Sequence, residues 1–201
     1  MRTLLTGFTS FQGVDRNPTE LVVEAIRAQN RSSVYAEVLP VAFQPAGERL
    51  VSLLKEIQPD VVLCTGVAQS RAEITPERFA LNVEDAAIPD NEGILADGTP
   101  IIPGAPLAYL TTLPVLAIRA ALRTAEIPCK ISNHAGAYVC NHVFYRLMHA
   151  LAGWEKPVMA GFVHVPGILS DERPTGLPIE TIQRAVELIL SVCEAQLKQV
   201  A

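Results

Sequence analysis

The sequence has few charged residues and no long apolar segment. Of its 201 residues, 18% are charged and 49% are hydrophobic, which excludes a disordered chain and allows a sizeable core. The longest apolar runs, such as PVMAGFVHV at 157–165, are far shorter than the roughly 20 residues that a membrane-spanning helix requires. The start, MRTLLTGF, lacks the small-residue cleavage site of a signal peptide. We therefore expect a cytoplasmic protein that does not cross a membrane.

Basic residues are also scarce and scattered. The chain has 16 lysines and arginines against 21 aspartates and glutamates, a formal net charge of −5. No basic stretch is long enough to follow a phosphate backbone, which argues against nucleic acid as a partner. The sequence also has no glycine-rich phosphate-binding motif, so a nucleotide-handling α/β protein is a disfavoured alternative.

The four cysteines lack paired spacing. No Cys-x-x-Cys motif is formed by Cys64, Cys129, Cys140 and Cys193. In the reducing cytoplasm we expect no disulfide bonds between them. Zinc-ligand spacing is missing too, because Cys140 and His142 are two residues apart on a predicted helix and point in different directions. The sequence therefore predicts no metal site.

Strand and helix patterns alternate along the chain. Apolar runs predict strands, and apolar spacing with Asn17 as a cap and Pro18 at a first position predicts helices. The predicted strands are 3–8, 34–43, 60–66, 130–136 and 156–165, and the predicted helices start at Asn17 or cover 46–57, 139–151 and 179–197. This order predicts one α/β domain over 1–201 with a mostly parallel, helix-covered sheet. The Pro-, Gly- and Asp-rich segment 85–114 is interpreted as a long functional or lid-like excursion.

Cys140 is the cysteine whose context suits a nucleophile. Cys64 lies inside an apolar strand and Cys193 on the inner face of the last helix, so both are predicted to be small buried hydrophobes. Cys129 follows Pro128 at a turn and has no activating neighbour. Cys140 falls in the first turn of a helix, where free N–H groups and the helix dipole favour a thiolate and can hold an oxyanion. The alternative is a core cysteine on a helix.

A cysteine nucleophile needs a base, and four histidines are available. His142 and His149 share the helix of Cys140 and point elsewhere, and His134 is interpreted as a strand residue. His164 ends a predicted buried strand, and the crevice of an open α/β sheet lies outside such strand ends. His164 is therefore the predicted base. The acid that orients its imidazole stays open among Glu73, Glu77, Glu84, Asp85, Asp90 and Glu92.

Four blocks of the sequence match a known pattern when taken together. They are LLTGFTSFQGVDRNPTE, ITPERFALNVEDAAIPDNEG, SNHAGAYVCNHVFY and GFVHVPG, spread over residues 4–167. In order and spacing they resemble the signature blocks of the pyroglutamyl peptidase I family, also called pyrrolidone-carboxylate peptidases. Matched block to block, the family's nucleophile falls on Cys140, its base on His164 and its orienting acid on Glu77.

The resemblance implies a fold, an activity and partners. The fold is a three-layer α/β/α sandwich with a mostly parallel twisted sheet. The activity is that of a cysteine exopeptidase, which removes an N-terminal pyroglutamyl residue from peptides without a cofactor. The protein is expected to be a homo-oligomer, a dimer or a tetramer.

The resemblance also implies an apolar pocket for the five-membered lactam ring. Phe8 and Phe11 match two aromatic residues that enclose the ring, and further pocket positions fall on Asn17, Val67, Ile88 and Val139. Each has a plainer explanation. The phenylalanines, Ile88 and Val139 could belong to the core, and Asn17 is already explained as a helix cap.

Departures from the family pattern keep two alternatives open. Val67 replaces a glutamine in GVAQSR, and Ala87 replaces an arginine that is generally placed at the active site. His134 and Ala137 replace two threonines, so that the family's N-T-A-G-T reads NHAGA here. Losing one charge-assisted contact to the developing negative charge costs about 10²–10³ in rate. The alternatives are a related cysteine hydrolase with a different substrate and a catalytically weak or silent homologue.

Overall fold

A seven-stranded sheet with helices on both faces organises the protein in this computed structural model, which describes residues 1–14, 16–170 and 174–200. In chain order, the elements are β1 (Thr3–Phe8), α1 (Pro18–Ala28), β2 (Val34–Leu39), α2 (Phe43–Ile57), β3 (Val61–Val67), β4 (Thr75–Leu81), β5 (Glu84–Asp85), β6 (Asp97–Thr99), β7 (Ala108–Leu110), α3 (Val115–Thr124), β8 (Ser132–His134), α4 (Val139–Ala152), β9 (Met159–Val165) and α5 (Ile179–Val200).

The centre of the sheet is parallel and buried. β2, β1, β3 and β9 are parallel neighbours in that order, and every residue of β1 is buried. Parallel strands covered on both faces need apolar residues throughout, which accounts for the runs TLLTGF and VVLCTGV. β4 pairs antiparallel with β9 and β7 and parallel with β8. β7 therefore ends the sheet on that side.

Helices form the outer layers. α2 and α4 pack together over a core that includes Phe144 and Phe162, and α1, α3 and α5 cover a second core that includes Ile118 and Ile189. α1 begins as predicted, because the Asn17 Oδ1 accepts the N–H of Thr19 at 3.0 Å. The predicted three-layer α/β/α fold class is confirmed.

Sequence patterns miss α3 and β4 and misplace the start of α2. Only Ile118 and Leu122 of α3 are buried, so its apolar stripe is too thin to stand out. The strand predicted over 34–43 ends at Leu39, and Phe43 begins α2 instead. The reason is distant in sequence: the buried Asp90 carboxylate accepts the Phe43 N–H at 2.9 Å. A carboxylate at a helix start is favoured by the free N–H groups there.

The excursion 85–114 is held to the body at several points. β5 and β6 form a two-stranded sheet, and β7 joins the main sheet. Asn82 donates to the Ile102 carbonyl at 2.9 Å and accepts the Ile102 N–H at the same distance. A lid-like role for this segment stays a prediction.

The single-domain organisation also stays a prediction, supported by a main sheet whose strands span residues 3 to 165. Among the described residues, no helix combines the length and apolarity needed to cross a membrane. Within the same part of the chain, no group of three or more His, Cys, Asp or Glu side chains is placed to hold a metal ion.

Candidate active site

Two strand ends and one helix start meet at one edge of the sheet. β3 and β9 end side by side, with Gly66 paired with His164. α4 begins at Val139, so Cys140 lies in its first turn as predicted. A Cβ added to Gly66 would lie 2.7 Å from the Cys140 Sγ. The thiol therefore rests on the strand neighbour of His164, and only a glycine leaves room for it there.

Glu77 completes this arrangement from β4. Its carboxylate is fully buried, and its Oε1 accepts a hydrogen bond from the His164 Nδ1 at 2.7 Å. The same oxygen is paired with the Arg71 guanidinium. Because a carboxylate only accepts, the proton sits on Nδ1, and Nε2 keeps the lone pair that can receive a thiol proton. Of the six acids left open by spacing, Glu77 is the one bonded to His164.

The electrostatics give a neutral imidazole and a neutral thiol at rest. Burial lowers the pKa of His164 below its usual 6.5, although Glu77 acts in the opposite direction. Burial would raise the pKa of Glu77, but the hydrogen bonds from His164 and Arg71, together with the charge that His164 carries once it is protonated, bring it below its usual 4.5. Burial raises the pKa of Cys140 to about 12, and the charge of Glu77 adds to the rise.

The thiolate expected from the helix start is therefore not the resting form. The partly buried Cys140 sulfur packs against Gly66 and faces an apolar cavity, surroundings that disfavour a charge. This desolvation outweighs the favourable end of α4. The first N–H groups of α4 still have no intrahelical acceptor, and they remain available to a negative oxygen that forms beside the sulfur.

A small apolar cavity opens beside the thiol. Its volume is about 40 Å³, and it is lined by Phe8, Phe11, Asn17, Val41, Val67, Tyr138, Val139 and Cys140. Since one water needs about 10–15 Å³ on this scale, the cavity holds about three waters and suits a compact apolar group. All the predicted pocket residues except Ile88 are in this lining.

Ile88 is the exception. Its side chain is 41% exposed and lies outside the lining, so the prediction that it forms a wall of the pocket is not met in this structure. Asn17 has both ends of its amide occupied, because Nδ2 donates to the Thr9 carbonyl at 2.9 Å and Oδ1 accepts from Thr19. Its observed role is to hold the β1–α1 loop in place at the cavity.

Sequence reasoning missed three residues of this site. Arg71 pairs with Glu77, and Tyr138 and Val41 line the cavity. Tyr138 also donates its hydroxyl to the Pro89 carbonyl at 3.1 Å, which ties the excursion to the cavity. Its position two residues before Cys140 was an available signal, whereas no local pattern distinguishes Val41.

The departures from the family pattern fall in different places. Val67 faces the cavity, and Ala87 is exposed on the excursion. His134 is exposed on β8, where its carbonyl accepts from the Arg71 Nη2 at 3.5 Å. The remaining histidines point away from the thiol as predicted, since His142 pairs with Glu84 and the His149 Nδ1 lies 2.9 Å from a tyrosine hydroxyl.

Comparisons with known proteins assign the chain to a family. The family model of the pyroglutamyl peptidases matches residues 1–199. A pyrrolidone-carboxylate peptidase of Thermococcus onnurineus is 43% identical over 198 residues, covering 94% of this chain and 97% of its own. A mutant pyrrolidone carboxyl peptidase of Pyrococcus furiosus superposes with a TM-score of 0.93 at 40% identity, covering 98% of this chain and 100% of its own. Pyroglutamyl peptidase I of Bacillus amyloliquefaciens gives a TM-score of 0.90 at 36% identity, with 96% and 97% covered. The chain therefore belongs to the pyroglutamyl peptidase family.

Proposed function

We propose that this protein is a cysteine exopeptidase that hydrolyses the bond after an N-terminal pyroglutamyl residue. The observation that carries the proposal is that the Cys140 thiol packs on Gly66, the strand neighbour of His164, whose imidazole is bonded to the buried Glu77, beside a small apolar cavity. The names of the relatives support the same activity.

The cavity suits the neutral lactam ring of a pyroglutamyl group. Phe8 and Phe11 offer apolar contact to its methylene carbons, and Val67 and Val139 line the same space. A ring held here presents its exocyclic carbonyl to the sulfur. A free N-terminal amine would be charged and poorly solvated in such a cavity, so an unblocked peptide is disfavoured.

The first half-reaction forms a thioester. The His164 Nε2 takes the proton of the Cys140 thiol while Sγ attacks the carbonyl carbon, and Glu77 stabilises the imidazolium that results. The backbone N–H of Cys140 helps to hold the oxyanion. When the tetrahedral intermediate collapses, the imidazolium gives its proton to the departing amine and the shortened peptide leaves.

The second half-reaction regenerates the enzyme. His164, again neutral, removes a proton from a water molecule, whose oxygen attacks the thioester carbonyl. The C–S bond breaks, the proton returns to sulfur, and free pyroglutamate is released. Because His164 accepts and returns a proton in each half, the lowered pKa that keeps it neutral at rest suits both steps.

A fluorogenic pyroglutamyl amide tests the activity directly. The purified protein should release the amine, and Cys140→Ala should abolish turnover while leaving the fold intact. Glu77→Gln should lower kcat by about 10³, because an amide neither stabilises the imidazolium nor holds the same tautomer. Turnover by Cys140→Ala would refute the assignment of the nucleophile.

The alternatives give different results in the same assay. A hydrolase with another substrate would turn over a prolyl or alanyl amide faster than the pyroglutamyl amide. A silent homologue would turn over none of them. Restoring the family residue with Ala87→Arg tests whether the departure at this position reduces the rate.

We also propose that the protein is a homo-oligomer, a dimer or a tetramer. The outer edge of the sheet supports this, because Phe79, Leu107 and Leu110 at and beside β7 are 38%, 87% and 59% exposed. Exposed apolar side chains next to a strand edge are typical of a surface that a partner covers. Sedimentation of the purified protein measures the state.

We further propose a cytoplasmic location. All four cysteines of the chain are free, three of them buried, which fits a reducing compartment. Cell fractionation with an antibody to the protein tests it.

A further inference from the structure

A groove with several cations adjoins the candidate active site. It consists of two open depressions of about 520 and 430 Å³ that share Glu73, Lys130 and Ile131. The first is bounded by the β3–β4 connection and β8, and the second extends to α3. We call this continuous surface the basic groove.

The charge of the basic groove differs from that of the whole chain. Its lining contains the carboxylate of Glu73 and the cations Arg71, Arg78, Arg119, Arg123 and Lys130, although the net charge of the protein is −5. Glu77 neutralises Arg71. Within the described residues, the other four cations form no ion pair with a carboxylate. In another open groove, by contrast, Arg49 is paired with Glu37 and Glu56.

One end of the basic groove lies next to the catalytic candidates. Arg71 and His134 line it, and Arg71 contacts the Glu77 carboxylate. The two linings are also close along the chain, because Arg71 follows Val67 by four residues and Tyr138 follows His134 by four residues. This end of the groove therefore reaches the imidazole of His164 through two contacts, Arg71 with Glu77 and Glu77 with His164.

The far end is built from α3. Arg119 and Arg123 are four residues apart on one face of the helix. Both lie close to Cys129 in the groove lining, since their positive charges act to lower the pKa of its thiol against the larger effect of burial. Arg78 lies between the two ends, where its Nη1 donates to the Asn133 Oδ1 at 3.1 Å. The cations are thus spread along the groove and are not gathered at one point.

We propose that the basic groove receives the residues that follow the pyroglutamyl group of a peptide and favours acidic side chains there. This inference rests on the proposed function. Unpaired cations along an open groove attract carboxylates and increase the rate of productive encounter, an effect that salt screens. An extended acidic peptide would meet Lys130 and Arg78 first and Arg119 and Arg123 further along.

The test compares peptides that differ only beyond the cleaved bond. Pyroglutamyl-Ala-Xaa-Xaa-Xaa-amide is prepared with Xaa as Glu, Gln or Lys, and a short fluorogenic pyroglutamyl amide reports the chemistry alone. At low salt, kcat/KM should follow the order Glu, Gln, Lys, and 0.5 M salt should remove most of the difference. The short amide should respond little to salt.

Neutralising the groove should weaken this discrimination. Arg123→Gln should reduce the Glu-to-Lys ratio of kcat/KM about threefold, and Arg119→Gln with Arg123→Gln more, while turnover of the short amide stays unchanged. The matched control is Lys55→Gln, because Lys55 and Arg123 are both exposed cations in the last turn of a helix. The control should leave the ratio as it is.

Equal rates for the three peptides, or equal ratios for Arg123→Gln and the wild type, would overturn the proposal. A change in oligomeric state in Arg123→Gln without a change in the ratio would instead assign the groove to a subunit interface. If the short amide is not cleaved, the proposed function fails separately. In that case, fluorescence anisotropy of labelled Ala-Glu-Glu-Glu measures whether the basic groove binds an acidic peptide. Stronger binding of a single-stranded oligonucleotide than of this peptide would also overturn the proposal.

Discussion

Gly66 shows how one missing side chain creates the candidate site. β3 carries this glycine directly beneath the Cys140 Sγ, and its strand neighbour on β9 is His164. A methyl group there would lie 2.7 Å from the sulfur and 2.8 Å from the Phe162 ring, distances that force one of them to move. The residue that brings thiol and imidazole together is therefore one that takes no part in the chemistry.

Gly66→Ala should lower kcat by about 100-fold or more, because a displacement of about 1 Å in a catalytic group costs this much. The pyroglutamyl-amide assay measures it, with stability followed by urea unfolding. Gly153→Ala is the matched control, since a Cβ there meets no atom closer than 3.9 Å, and it should behave as wild type. Wild-type activity in Gly66→Ala would show that the thiol does not depend on this contact.

The start of α4 holds the candidate nucleophile Cys140 close to β4, the strand that carries Glu77. Asn141 is fully buried, accepts the Leu81 N–H at 3.0 Å and donates to the carbonyls of Leu81 and Val83 at 2.8 and 3.0 Å. His142 adds a contact to Glu84. These bonds hold the first turn of α4 to the end of β4, the strand on which Glu77 lies.

Asn141→Ala should destabilise the protein by about 2–3 kcal/mol, because three partly buried hydrogen bonds are lost and backbone groups of Leu81 and Val83 lose their partners. Urea unfolding measures the free energy. Asn133→Ala, which removes one bond from an exposed asparagine, should cost less than about 0.5 kcal/mol. Equal effects of the two substitutions would contradict a holding role for Asn141.

The response of the whole molecule to pH follows from the Glu77–His164 pair. Both groups have folded-state pKa values below their usual 6.5 and 4.5, so the unfolded chain binds more protons as the pH falls. The stabilisation that this pair contributes is therefore fully present at neutral pH and declines as the pH falls below about 6.5. It declines further as the pH falls through the lowered pKa of Glu77.

Activity should change with pH in the same direction as stability, falling as the pH falls. The acid limb of kcat/KM should lie below pH 6.5, because only neutral His164 can accept the thiol proton. Urea unfolding between pH 7.5 and 4 should give falling free energies, and a variant with both Glu77→Gln and His164→Gln should give a flatter curve. An acid limb above pH 7 would contradict the lowered pKa of His164.

Local patterns predict those features that depend on neighbours along the chain. The strand at 3–8, the Asn17 cap and the position of Cys140 in the first turn of a helix all follow from residues a few positions apart. His164 could be selected because the end of a buried parallel strand faces the ligand crevice. Glu77 entered only through the resemblance, since six acids had equal standing by spacing.

The sequence by itself determined the alternation of elements and pointed to Cys140 and His164 as candidates, because apolar periodicity and capping act within one turn or one strand. Local patterns left six acids open and the resemblance selected Glu77; the tertiary structure bonds that carboxylate to His164, 87 residues away in the chain. Only the tertiary structure decided that Asp90 caps α2 and that four cations without a carboxylate partner among the described residues share one groove. Such contacts depend on the order of strands in the sheet and on the burial that follows from it. The same burial makes Cys140 a neutral thiol at rest, although its place in the sequence favours a thiolate.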